Sequence, residues 1–266
     1  MTTSTAADCA VELAEQNTLA PFDSIGRWHL ARHVYACLAD DHVVLLDLKR
    51  DKYYALGDPA AAALAKFVQG WPSSSAARNV DQDDMSCVVQ TLADLESVGV
   101  VYAGTVEIDD RLRRDGRRLP RAQAALIYGY TPVAARIHMR DLVAFLRALA
   151  IGYFFKLRRS MHAMAARMLR TTTAAYPSTV EEDTQQCREL VGKFLRMRPW
   201  FYSAYQECLF DSFVLIEFLS QYGVFPRWVI GVKTGPFEAH CWVQSGTVVL
   251  NDTPERVTSL TPILVS

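Results

Sequence analysis

The sequence has no C-x-x-C pair, no apolar run long enough to span a bilayer and no surplus of either charge. Each absence removes a class of protein. Its six cysteines, at positions 9, 37, 87, 187, 208 and 241, are scattered through the chain. That is neither a disulfide framework nor the paired spacing of a structural zinc site. The most apolar segment, Leu142 to Leu157, covers 16 residues and contains Arg147. A membrane helix needs roughly 20 predominantly apolar residues, so this segment reads as a buried or partner-facing helix. The N-terminus, MTTSTAADCAVELAEQ, lacks both the basic region and the apolar core of a secretory signal. The expected location is therefore cytoplasmic, where thiols start reduced. A formal net charge of −1 over 266 residues gives no overall pull toward nucleic acid or a membrane.

What is present is ordinary globular composition, 50% hydrophobic and 21% charged, in a length that suits one large domain or two smaller ones. Residues 1–24 read as a flexible tail. From Trp28 the runs HLARHVYACL, HVVLLDL and KYYAL are short, aromatic and β-branched, with breaks at Asp40-Asp41 and Lys49–Asp51. They predict three antiparallel strands in a meander. Asp58-Pro59 then suits a helix start, with Asp58 as the cap and Pro59 at the first position, leading into AAAALAKFVQ. A second helix fits DDMSCVVQTLADLESVG, with Met85, Val88, Val89, Leu92 and Leu95 on one face and Gly99 as its stop. VVYAG adds a strand. Three strands and two helices in this order make a small winged-helix-like unit. Such units often read DNA, but residues 79–102 carry five aspartates and glutamates and no lysine or arginine, which is the wrong sign for phosphates.

RLRRDGRRLPR (111–121) packs six arginines into eleven residues and reads as a solvated linker. Residues 122–198 read as mostly helical, broken at TTTAAYPST (171–179).

The chemistry concentrates in the last 70 or so residues. Ser203 and Gln206 have capping-box spacing, which places a helix start at Ser203. The apolar stretch Leu209–Leu219 implies a helix buried on most sides, ended by Gly223 and Pro226. Cys208 then lies near the N-terminus of that helix, where N–H groups and the dipole stabilise a thiolate. A start later than Ser203 would suit the chemistry better. Three strands follow: RWVIGV, FEAHCWVQ and TVVLND. His240 sits within the second as a candidate general base, and Asp252 ends the third as the candidate group that orients the imidazole. Cys241, next to His240, is expected on the opposite face of its strand, away from any site shared with His240. The hairpin is expected to turn through a three-residue loop, Gln244-Ser245-Gly246. That register pairs His240 with Leu250, and puts Asp252, not Asn251, within reach of the imidazole.

The run from Cys208-Leu209 through Tyr222-Gly223, Pro226-Arg227-Trp228, Ile230-Gly231-Val232, Pro236-Phe237, Ala239-His240-Cys241-Trp242-Val243 and Leu250-Asn251-Asp252 resembles the leader peptidases of lasso-peptide biosynthesis, the B proteins. Their protease half is a transglutaminase-like cysteine protease. The resemblance implies Cys208 as nucleophile, His240 as base and Asp252 as orienting acid. Leu46-Asp47-Leu48, Asp51, Tyr53-Tyr54 and Ala55-Leu56 are similar to the precursor-peptide recognition element of that family, which binds a leader as an added β-strand. The groove would then lie between Lys52, Tyr53, Tyr54, Ala55 and Leu56 on one side and Val88, Leu92 and Leu95 on the other.

The expectation is thus an α+β chain with a winged-helix-like peptide-recognition domain (25–105), a mostly helical connector (106–185) and a papain/transglutaminase-like cysteine protease domain (186–266). By resemblance it binds and cleaves the leader of a ribosomally made lasso-peptide precursor. It uses no metal or other cofactor and works beside an ATP-dependent, asparagine-synthetase-like cyclase, with neither nucleic acid nor membrane as partner. Two other classes stay open at this point: an acyl-transfer enzyme (transglutaminase or amidase) with the same triad, and a non-catalytic peptide-binding scaffold.

Overall fold

A computed structural model describes residues 28–57, 61, 63–72, 82–104, 119–126, 136–158, 161–173, 185–203 and 207–266. The proposed tail (1–24), the helix start at Asp58-Pro59 and most of the arginine-rich stretch lie outside the described residues.

The meander is present as β2 (Val34–Ala39), β3 (His42–Asp47) and β4 (Lys52–Leu56), all antiparallel. Asp40 and Asp41 link β2 to β3 with φ of 47° and 63°. That pair of left-handed residues is what a two-residue hairpin of type I′ requires. The first predicted strand divides. Its start, β1 (Trp28–Leu30), leaves the meander to pair with β5 (Val68–Gln69) and β6 (Val101–Ala103) in a separate three-stranded sheet. The helix expected over AAAALAKFVQ is shorter than its apolar run suggested, because Val68 and Gln69 pair with β1 instead. Helix α1 (Gln82–Ser97) follows the predicted span and stops before Gly99, whose φ is +62°.

The C-terminal part contains α2 (Met139–Leu157), α3 (Met161–Thr173), α4 (Gln185–Met197) and α5 (Cys208–Ser220). Its sheet includes β7 (Ala124–Ala125), β8 (Arg227–Thr234), β9 (Phe237–Ser245), β10 (Val248–Val249) and β11 (Thr261–Val265), in the order β11-β8-β9-β10-β7. A short helix, α6 (Pro254–Thr258), capped by the Thr253 hydroxyl, precedes β11. The sequence pattern had not indicated β7, α6 or β11. Helix α5 is buried on every side, with Phe213, Val214, Leu215, Ile216, Phe218 and Leu219 at 0% exposure. Truncating any of these large side chains to alanine would cost about 2–5 kcal/mol.

Two packing facts bear on domain organisation. Ala144, Phe145, Ala148 and Leu149 of α2 and Met164, Ala165 and Met168 of α3 belong to the same core as α4 and α5. The expected boundary between 185 and 186 therefore falls inside one packed core. That core also takes in Val44, Leu46 and Leu48, while Val43 and Leu45 face a second core with Val88, Leu92 and Leu95 of α1. Alternate residues of β3 thus enter two cores, which is why HVVLLD reads as a continuous apolar run. The Asp40 carboxylate adds a polar link, accepting from Thr234 N at 2.9 Å and Thr234 Oγ1 at 3.0 Å.

Candidate active site

Helix α5 begins at Cys208, not at Ser203. Ser203 lies in exposed, non-helical backbone, and Gln206, the other half of the expected capping box, lies outside the described residues. The preceding chain is held instead by a short 3₁₀ turn, Arg198–Trp200, and by Tyr202, whose hydroxyl donates to Asp211 at 3.0 Å. As the first helical residue, Cys208 has no intrahelical acceptor for its N–H, and its sulfur sits at the positive end of the helix dipole.

The sulfur lies against β9. Strand β10 covers β9 only at Gln244 and Ser245, so the side of β9 next to Cys208 carries no strand among the described residues. From there the sulfur meets both faces of the strand. It is hydrogen-bonded to His240, to the Cys241 thiol and to the Cys241 backbone N–H. This corrects the expectation for Cys241: alternation sends its side chain away from His240, yet a thiol at the strand's side touches both. The hydrogen bond from Cys241 is the largest influence on Cys208; burial opposes it, and His240 assists, leaving the thiol lowered to about 4. Cys241 is itself fully enclosed, and burial together with its bond to Cys208 pushes its thiol well up. It stays the proton donor of the pair.

His240 is 5% exposed and donates from Nε2 to Asp252 Oδ2. Its ring is stacked on Trp242, with centroids 6.5 Å apart. Trp242 in turn lies across Gly231, the residue opposite His240 on β8, where an added Cβ would come within 2.7 Å of the indole. Burial works against a charged imidazole, but hydrogen bonds to Asp252 and Cys208 outweigh it and raise His240 to about 9. Burial also works against the Asp252 carboxylate. The bonds from His240 and from Thr253 N, the latter at 2.7 Å, prevail and hold it below the usual carboxylate range.

The hairpin register differs from the expected one. Strand β9 runs on to Ser245, which pairs with Val248, so the turn is Gly246-Thr247, with Gly246 at φ 54°. Strand β10 ends at Val249, Leu250 N still donates to Val243 O at 2.9 Å, and the chain then bends away through Asn251 and Asp252. Asp252 reaches His240 because it has left the ladder, not because it lies diagonally opposite within one. Asn251 points elsewhere: it accepts from Val243 N at 2.8 Å and donates to Asp211 Oδ2 at 2.9 Å and Ser212 Oγ at 3.1 Å.

Sequence reasoning placed Cys241 and Asn251 away from His240 without assigning them a role at the site, and it passed over Asp211. Asp211 left a usable signal, since an acid one turn after Cys208 in a largely apolar, buried helix must be paired. Its partners are the Arg198 guanidinium, 3.1 Å away, Tyr202 and Asn251.

The eight residues expected to line a groove are placed unevenly. Lys52 and Ala55 are exposed on β4, and Tyr54 and Leu56 pack partly against the α1 core. Val88, Leu92 and Leu95, at 0%, 3% and 6% exposure, are core residues whose surface the chain's own side chains occupy. They belong to the interior and not to the surface. Tyr53 turns the other way. Its ring packs edge-on against Phe237 at 5.4 Å, and its hydroxyl is pushed up by burial and by the nearby Cys241 and Cys208. Among the described residues, no cluster of three or more His, Cys, Asp or Glu side chains could hold a metal ion. Nor is any described helix long and apolar enough to cross a membrane.

Residues 145–265 match the model of the transglutaminase-like superfamily. A stretch of 57 residues is 39% identical to the microcin J25-processing protein McjB of Escherichia coli, covering 21% of this chain and 27% of that protein. The chain thus spans about a quarter of the length of this curated relative. No solved structure matches. Residues 145–265 thus resemble a transglutaminase-like domain, and the match to McjB supports the resemblance of the chain to the B proteins of lasso-peptide biosynthesis.

Proposed function

We propose that this chain is a cysteine endopeptidase that removes the leader from a ribosomally made lasso-peptide precursor. The observation that carries the reading is the contact of Cys208, at the first position of a buried helix, with His240, whose far nitrogen is held by Asp252. A lowered thiol beside a raised imidazole is a thiolate–imidazolium pair, the resting state of an activated cysteine nucleophile. The Cys208 thiolate attacks the scissile carbonyl carbon, and the His240 imidazolium gives its proton to the departing amine. This frees the core peptide and leaves the leader as a thioester. His240, now neutral, takes a proton from water; the hydroxide cleaves the thioester and Cys208 leaves as thiolate. The N–H of Cys208, free of intrahelical bonding, is the candidate oxyanion donor.

The N-terminal region, read as a winged-helix-like recognition domain, would hold the leader along β4. This strand ends its sheet, so one side of its backbone is open among the described residues. An added strand there would gain affinity from backbone hydrogen bonds. Tyr53, on β4 and beside Cys208, links that edge to the site of cleavage. The precursor and a separate ATP-dependent cyclase in the cytoplasm are the partners this reading entails.

Mass spectrometry of a precursor incubated with the protein tests the reading. Leader and core as separate hydrolysis products are expected, and Cys208→Ala should lower the rate at least about a thousandfold. An acyl-transfer product would place the chain among transferases, and an intact precursor would leave it a binding scaffold.

A further inference from the structure

We propose that Asn251 is a positioning residue that fixes Cys208, His240 and Asp252 relative to one another. The inference rests on the proposed triad. Its basis is the set of elements that this one side chain joins. Through Oδ1 it accepts from Val243 N on β9, the strand that carries His240. Through Nδ2 it donates to Asp211 and Ser212 in the first two turns of α5, the helix that Cys208 opens. Through its own backbone it immediately precedes Asp252. The three side chains of the triad sit on three different pieces of chain, and all three pieces meet at this amide.

The chemistry of the contact restricts the residue type. The position needs one acceptor for a backbone N–H and two donors, one of them for a buried carboxylate. A primary amide offers both at once. Aspartate has the same shape but no donor, and it would set a second carboxylate 2.9 Å from that of Asp211. Alanine leaves all three partners without the bond.

The anchor points are themselves fixed. Asp211 is 1% exposed and is held by Arg198 and Tyr202 as well as by Asn251. Ser212 is fully buried, and its hydroxyl faces the Cys241 carbonyl at 3.4 Å. Asn251 therefore joins two rigid bodies. Without it, α5 and β9 keep their apolar packing and the Ser212–Cys241 contact but lose the amide that ties both to the Asp252 segment, and Cys208 can drift from His240 by a fraction of an ångström. Such drift degrades proton transfer and thiolate stabilisation, not substrate capture.

The test uses the full chain as wild type, Asn251→Ala and Asn251→Asp. Two quantities are read: kcat and KM on precursor, and the pH midpoint of Cys208 alkylation by iodoacetamide, followed on the Cys208 peptide by mass spectrometry. Both variants should lower kcat about tenfold or more with KM within about twofold, since misplacement near 1 Å can cost about a hundredfold. Both should also raise the alkylation midpoint by about one pH unit or more, as the thiolate loses its imidazolium contact. Wild-type kcat and midpoint in both variants would overturn the proposal. So would a loss of rate matched by the loss of folded protein, with the midpoint unmoved, because that is a purely structural role. The alkylation arm needs no precursor. A shifted midpoint in a protein whose wild type cleaves nothing would retain Asn251 as a positioning residue and defeat the peptidase reading. Cleavage by wild type with neither quantity moved would do the reverse.

Discussion

The side of β9 beside Cys208 and the open side of β4 are both strand edges, yet they are finished in opposite ways. At β9 the edge is closed by side chains: Cys208 takes the Cys241 N–H, and Asn251 takes that of Val243. Most polar atoms nearby are committed to a partner inside the molecule. At β4 the backbone edge has no strand partner among the described residues, and Lys52 and Ala55 flank it in solvent. An edge that does chemistry must be preorganised, because freedom there raises the barrier. An edge that recruits an extended peptide must be left unsatisfied, because the peptide supplies the missing bonds.

Four experiments test that contrast. The largest effect is expected from separating the halves. Cleaving the chain within residues 111–121 exposes Val44, Leu46 and Leu48 on one piece and their partners in the α5 core on the other. Neither piece alone should cleave precursor or show a cooperative thermal transition like that of the intact chain, and activity should return only when the two are refolded together. Two stable, independently active pieces would show that the shared core is dispensable.

Next, Asp252→Ala should lower kcat about a hundredfold or more, since it removes the group that orients His240. A KM effect of that size with kcat intact would move Asp252 to substrate binding.

Third, activity should follow a bell in pH. Cys208 is lowered to about 4 and becomes thiolate above that value, while His240 is raised to about 9 and stays imidazolium below it. The reactive ion pair therefore fills the window between the two, and kcat/KM should fall outside it on both sides. An acid limb near 8 would mean an ordinary thiol.

The smallest effects distinguish Tyr53 from its neighbour. Ala55→Lys should raise KM several-fold and leave kcat alone, as expected of a residue on the open edge. Tyr53→Lys should lower kcat as well, because it disturbs packing on Phe237 and replaces a buried hydroxyl that feels the Cys241 and Cys208 thiols. Equal behaviour of the two would dissolve the distinction between the edges.

The sequence made α1, β8, β9 and the buried α5 legible because each carries a long, clean period or an unbroken apolar run. It also brought Cys208, His240 and Asp252 together as candidates, and these three do meet. What it misjudged was set by tertiary contacts. Ser203 and Gln206 satisfy a local capping pattern, yet the helix waits until Cys208, since the 3₁₀ turn and Tyr202 hold the chain elsewhere. The hairpin loop was placed too early, since Ser245 can extend β9 once Gly246 takes the first turn position at positive φ. Strand β11 was missed because Pro262 interrupts TPILV, which is tolerated there on an edge strand with an irregular register. Recognition of Cys241 failed for a subtler reason: alternation describes the faces of a strand and is silent about a group at its side.

The double burial of β3 has a consequence for tolerance to insertion and deletion. Its residues are sorted by parity, Val43 and Leu45 toward α1, Val44 and Leu46 toward α5. Removing or adding one residue near the Asp40-Asp41 turn would transpose the two sets, so each compartment would receive the side chains fitted to the other. Because valine and leucine occupy both sets, the transposed strand would stay apolar throughout and would reveal its error only as mismatched volume. Hydropathy would not register such a frameshift in space, and both compartments would register it at once.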